Sequence, residues 1–140
     1  MVGAFLREHR RTGARRHAER VLAEVELDHR ADVRASELTL AERKRLEVAR
    51  ALATRPELLL LDEVMAGLNA TEVGQAIELI RRLNRGGLTV LLIEHNLKVV
   101  RALAQRVLVL DHGAPIAEGS PDEVLANPQV VTAYLGRTRT

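Results

Sequence analysis

A chain of 140 residues fits one modest domain or part of a larger one, and an apolar fraction of 46% suffices for a core. Disulfides and thiolate metal sites are excluded by the absence of cysteine; with Phe5 and Tyr134 the sole Phe, Tyr or Trp residues, the core must be aliphatic, as in parallel α/β sheets. The formal charge is only +2, no apolar run could span a bilayer and the start carries no signal-peptide pattern, so the chain reads as soluble or peripheral.

Basic residues gather at Arg7, Arg10, Arg11, Arg15, Arg16 and Arg20, with Glu8 and Glu19 among them. Such a run usually forms a solvated helix face; lipid headgroups, a partner protein or nucleic acid are the sharper readings. No stacking aromatic accompanies it, which argues against single-strand binding.

Ala14 to Leu27 predicts an amphipathic helix with Ala18, Val21, Leu22 and Val25 on one stripe. Thr39 and Glu42 form a T-x-x-E capping box opening a second helix, whose expected buried stripe is Leu46, Ala49, Leu52 and Ala53 before Arg55-Pro56 ends it. The run Leu58-Leu59-Leu60-Leu61 predicts a strand buried on both faces. Asn69 and Glu72 cap a helix with Val73, Ala76, Ile77, Ile80 and Leu83 inward, and Gly86-Gly87 breaks it. Leu88 to Ile93 is a second apolar strand ending at Glu94-His95. A short helix over 97–104, a strand over 106–110, a turn at Asp111-His112-Gly113 and a strand over 115–118 follow. Ser120-Pro121-Asp122-Glu123 is a third capping box, and Asn127-Pro128 starts a last helix through Leu135. The alternation implies an α/β fold with a parallel sheet, and the break near Pro56 separates a helical part from an α/β part.

The string carrying most chemistry is the leucine run followed by Asp62 and Glu63. In open α/β sheets ligands sit beyond the carboxyl ends of the strands, so Asp62 would aim a hard oxygen ligand into a crevice, suited to Mg²⁺ through water. Glu63, one residue on, can orient or deprotonate a water attacking a phosphorus. Alone, the pair also fits a simple strand end. His95, ending the second apolar strand, could donate a hydrogen bond to the same phosphate or water; in isolation it also fits a capping or surface residue. His9, His17, His29 and His112 show no metal-ligand spacing.

Leu38 to Glu42, the following R-x-R-L-E-V-A-R-A-L stretch, Leu58 to Glu63, Ala66-Gly67-Leu68-Asn69 and His95 occur in the order found in ATP-binding-cassette ATPases. They resemble the signature motif, Walker B strand, D-loop and switch histidine of that family. Ile116 to Pro121 and Ala126 to Gly136 resemble the C-terminal tail of its branched-chain amino acid importer type. The resemblance implies the C-terminal part of a RecA-like parallel-sheet nucleotide-binding domain, preceded by part of the helical subdomain: residues 1–56 helical, 57–140 core and tail. It implies Asp62 as the Mg²⁺ residue, Glu63 and His95 as catalytic, and Thr39, Leu40, Ala41 and Glu42 as the contact to ATP held by a second ATPase subunit. Ala66, Gly67, Leu68 and Asn69 would meet that subunit. Transmembrane permease subunits are the other implied partners, with no nucleic acid, and the implied place is cytoplasmic, peripheral on the inner face of the cell membrane.

The sequence departs from the family pattern at several of these positions. Thr39 replaces the usual Ser, Leu40 and Ala41 the glycines, Glu42 the Gln, and Val64 and Ala70 common prolines. No G-x-x-x-x-G-K-[ST] run is present: Lys44 follows Arg43 and Lys98 follows Leu97. Nor is a glutamine loop evident, and Met1 to Phe5 resembles an internal stretch of the helical subdomain. The expectation is therefore a C-terminal portion that neither binds ATP tightly nor hydrolyses it alone. The alternative is a non-catalytic interaction fragment keeping only dimer and permease contacts; a DNA-maintenance ATPase is disfavoured by the tail and the lack of a heptad segment.

Overall fold

The structure, a computed structural model, describes residues 11–135. The first residues of the basic run (Arg7, Arg10), the Met1–Phe5 stretch and Gly136 lie outside the described residues. The chain forms two compact units that divide after Ile93.

In the first unit, α1 (Arg11–Glu24) and α2 (Leu40–Leu52) pack together. Ala14, His17, Val21 and Val25 recur at three- and four-residue spacing and are buried, as are Val48, Ala49, Leu52 and Ala53. His17 was not among the expected core residues, and it takes the inward position expected of Ala18. It is tolerated there because its Nε2 lies 3.0 Å from the Ala53 carbonyl, near the end of α2. Glu26, at φ 60°, turns the chain after α1, and its carboxylate receives Arg45 at 3.2 Å and Arg82 at 3.0 Å. Arg45 also donates to Gln75 at 2.8 Å. One carboxylate thus joins the α1 turn to α2 and to α3 (Ala70–Arg85).

Strand β1 (Leu58–Asp62) pairs in parallel with β2 (Thr89–Ile93), Leu58 opposite Thr89 and Asp62 opposite Ile93, with α3 as the crossover. Leu59 and Leu61 are buried, but Leu58, Leu60, Leu91 and Ile93 are more than half or about half exposed. The expected burial of β1 on both faces is corrected: one face alone is covered among the described residues. The cause is alternation of side chains across a strand, with covering elements on a single side. Helix α3 buries Leu79 and Ile80, while Val73, Ala76, Ile77 and Leu83 are half-buried.

The second unit holds α4 (Leu97–Leu103), an antiparallel pair β3 (Val107–Asp111) and β4 (Ala114–Gly119), then α5 (Pro121–Ala126) and α6 (Pro128–Leu135). A two-residue connection can only reverse a strand, so this pair runs antiparallel beside no third strand among the described residues. His112 at φ 49° and Gly113 at φ 81° make the turn. Val109, Val124 and Val130 form the core, flanked by Val107, Ile116 and Ala117. No helix among the described residues is long and apolar enough to cross a membrane.

Candidate functional site

The start of α2 is held from three directions. Thr39 Oγ1 accepts the Glu42 N–H at 3.2 Å, while Glu42 Oε2 accepts the Thr39 N–H at 2.8 Å, completing the capping box. Arg30, from the 3₁₀ turn Asp28–Arg30, donates through Nε to Glu42 Oε1 at 2.7 Å. The Thr39 amide bond first, and the Arg30 bond second, hold the Glu42 carboxyl below the usual glutamate range. Leu40 and Ala41 occupy the first helical positions, where the amides and the positive end of the helix dipole face outward.

Asp62 is the last residue of β1 and is exposed, so its carboxylate stands at the carboxyl end of a parallel strand. Glu63 follows at φ 44°, a left-handed conformation uncommon for any residue with a Cβ, and its N–H donates to the Ile93 carbonyl at 3.0 Å. That bond continues the β1–β2 ladder one step past its last pair. Its carbonyl then accepts the Ala66 N–H at 3.0 Å, turning the chain into the loop Ala66–Asn69. Leu68 N–H donates to Met65 O at 3.2 Å; Asn69 Oδ1 accepts the Glu72 N–H at 3.0 Å, and Glu72 answers the Asn69 N–H at 2.9 Å. Gly67 takes φ 80°, and a methyl placed on it would sit 3.0 Å from Leu40 Cδ2. The structure therefore brings the α2 start and the Ala66–Asn69 loop together.

His95 is exposed and lies in the second unit, one residue before Asn96, whose Oδ1 accepts the Lys98 N–H at 3.1 Å and caps α4. Two residues here escaped sequence reasoning. Arg30 stands in a polar stretch with nothing to single it out, although the unanswered acid at Glu42 was the available signal. Glu94 keeps Oε2 3.4 Å from the Asn96 N–H, while its Oε1 is buried without a hydrogen-bond partner among the described residues.

The donor set suits Mg²⁺ held in company with phosphate oxygens. Asp62 offers one hard carboxylate, and no group of three His, Cys, Asp or Glu among the described residues could make an all-protein cage.

Comparison with known proteins gives a consistent result. Residues 4–66 match the family described as ABC transporter, and residues 114–139 match that described as branched-chain amino acid ATP-binding cassette transporter. The high-affinity branched-chain amino acid transport ATP-binding protein LivG of Salmonella typhimurium is 46% identical over 111 residues, covering 79% of this chain and 43% of that protein. Its counterpart BraF of Pseudomonas aeruginosa is 42% identical over 134 residues, covering 95% of this chain and 52% of that protein. An ATP-binding cassette of an ABC transporter, solved in its ADP conformation, superposes with TM-score 0.80 at 33% identity, over 86% of this chain and 49% of that one. The chain spans about half the length of the curated relatives it matches.

Proposed function

The chain belongs to the ABC transporter ATP-binding-cassette family, and from that premise we propose that it supplies the hydrolytic half of an ATPase subunit serving an importer of branched-chain amino acids or related solutes. Residues 1–56 are part of the helical subdomain, and 57–140 are the C-terminal part of the RecA-like core with its tail. The observation that carries this reading is Asp62 and Glu63 at the carboxyl end of parallel β1, with the Glu63 backbone fixed to Ile93. The importer-type match over the tail supports the solute class.

Each residue has a role that follows from its chemistry. Bound Mg²⁺ would neutralise charge developing on the phosphates. Asp62 would hold that ion, and Glu63 would orient the attacking water and take its proton. His95 donates a hydrogen bond to the terminal phosphate. Thr39, Leu40, Ala41 and Glu42 present the positive end of α2 to nucleotide held by a second ATPase subunit, and Ala66 to Asn69 meet that subunit across the interface. Permease subunits in the membrane anchor the assembly at its cytoplasmic face.

The sequence has no loop of backbone amides and lysine to cradle the phosphates, so this chain alone binds ATP weakly and does not turn it over. Calorimetric titration of the purified chain with Mg-ATP is the test: a dissociation constant above about 1 mM is expected, and tight binding would overturn the assignment of the cradle to another segment. A second reading, an interaction fragment without catalysis, is favoured by Leu40 and Ala41, whose side chains stand where close approach of phosphate to backbone is needed. Co-purification with permease, unaffected by Glu63→Gln, would select it.

A further inference from the structure

We propose that Leu40 is a positioning residue that ties the start of α2 to the loop at Gly67, so that the two segments move as one piece. The inference rests on the reading above, in which both segments form the surface offered to a second ATPase subunit. Its physical basis is a contact within one chain. A methyl on Gly67 would lie 3.0 Å from Leu40 Cδ2, which puts the leucine side chain directly against the loop backbone. Gly67 stands at φ 80°, where an L side chain is strained, so its bare Cα leaves the space that Leu40 fills.

Both ends of this contact are firmly anchored. On one side, Leu40 is the first residue of a helix whose entry is fixed by the Thr39–Glu42 box and by Arg30. On the other, the loop is closed by the Ala66 and Leu68 amide bonds and ends in the Asn69 cap of α3. A displacement of the first turn of α2 is therefore passed into the Glu63–Asn69 stretch through the Leu40 side chain. An alanine or glycine at position 40 has no atom that reaches Gly67, and the two segments would then shift independently.

Amide hydrogen exchange followed by NMR on the full chain tests this without nucleotide, so its outcome is separate from that of the ATPase reading. Leu40→Ala should speed exchange at Ala66 and Leu68 about tenfold while amides within α3 and β1 keep their rates, because the loop opens locally rather than with the whole unit. Leu40→Met, which restores reach, should return the loop amides to near the original rate. Unchanged exchange at Leu68 in Leu40→Ala would overturn the proposal. So would uniform acceleration across the first unit, or a failure of Leu40→Met to rescue, since either marks general loosening rather than a clasp on the loop.

Discussion

Arg30 Nε donates to one oxygen of Glu42 at 2.7 Å, and the Thr39 amide donates to the other at 2.8 Å. Both oxygens of the acid are thereby engaged within the chain. A glutamate at a helix start proposed to face phosphate looks unhelpful in sequence, but its charge is answered by the Arg30 guanidinium. The same pair fixes the chain entering α2, adding a charge-assisted bond to the capping box. Thr39→Ala should remove the hydroxyl half of that box and cost about 1 kcal/mol in chemical denaturation. Thr39→Ser should cost little.

The carboxyls of Glu42 and Glu123 both sit below the ordinary glutamate range, the first chiefly through the Thr39 amide, the second chiefly through the Ser120 hydroxyl. A folded-state pKa below the unfolded value contributes stability that is present above the unfolded value and is lost as pH falls through the folded one. The melting temperature should therefore drop on acidification through and below the ordinary glutamate range. Glu42→Gln and Glu123→Gln together should flatten that drop, as circular dichroism melts at a series of pH values would record. An unchanged acid slope in the double variant would count against both bonds.

Buried His17 meets the Ala53 carbonyl through Nε2, and a carbonyl only accepts, so the ring proton must sit on that nitrogen. His17→Ala should cost about 1–3 kcal/mol in urea unfolding, from the lost bond and the stranded carbonyl. His17→Leu fills the space but leaves the carbonyl unanswered, and should recover only part of the loss.

Leu58, Leu60, Leu91 and Ile93 stand on the face of the β1–β2 pair that is left uncovered among the described residues, with Leu60 65% exposed. An apolar face on a sheet that has two strands among the described residues invites self-association. Leu60→Thr with Ile93→Thr should shift sedimentation profiles toward the monomer. Equal association in the variant would show that this face is not what joins the chains.

Much of this was legible because the signals are local. The capping boxes at Thr39, Asn69 and Ser120 each mark a helix start where the structure has one, since the side chain and the third amide satisfy each other over one turn. The leucine run correctly marks a strand ending at Asp62, but four leucines carry no period and cannot say which face is covered. Coverage depends on partners distant in sequence. The same limit applies to Arg30 and to the Leu40–Gly67 contact, which join segments that only the fold brings near. The left-handed turn at Glu63 was equally invisible, because glutamate gives no cue for a positive φ.

In the proposed function, Asp62 and Glu63 form one half of a phosphate-hydrolysing site whose phosphate cradle a second segment supplies. The most direct measurement is steady-state phosphate release after adding a separately produced polypeptide that carries a G-x-x-x-x-G-K-[ST] phosphate loop, comparing the original chain with Glu63→Gln. Turnover that appears only on mixing, and falls by about 100-fold or more in Glu63→Gln, is the expected result. Release by the mixture that is indifferent to Glu63→Gln, or equal release by this chain alone, would contradict it.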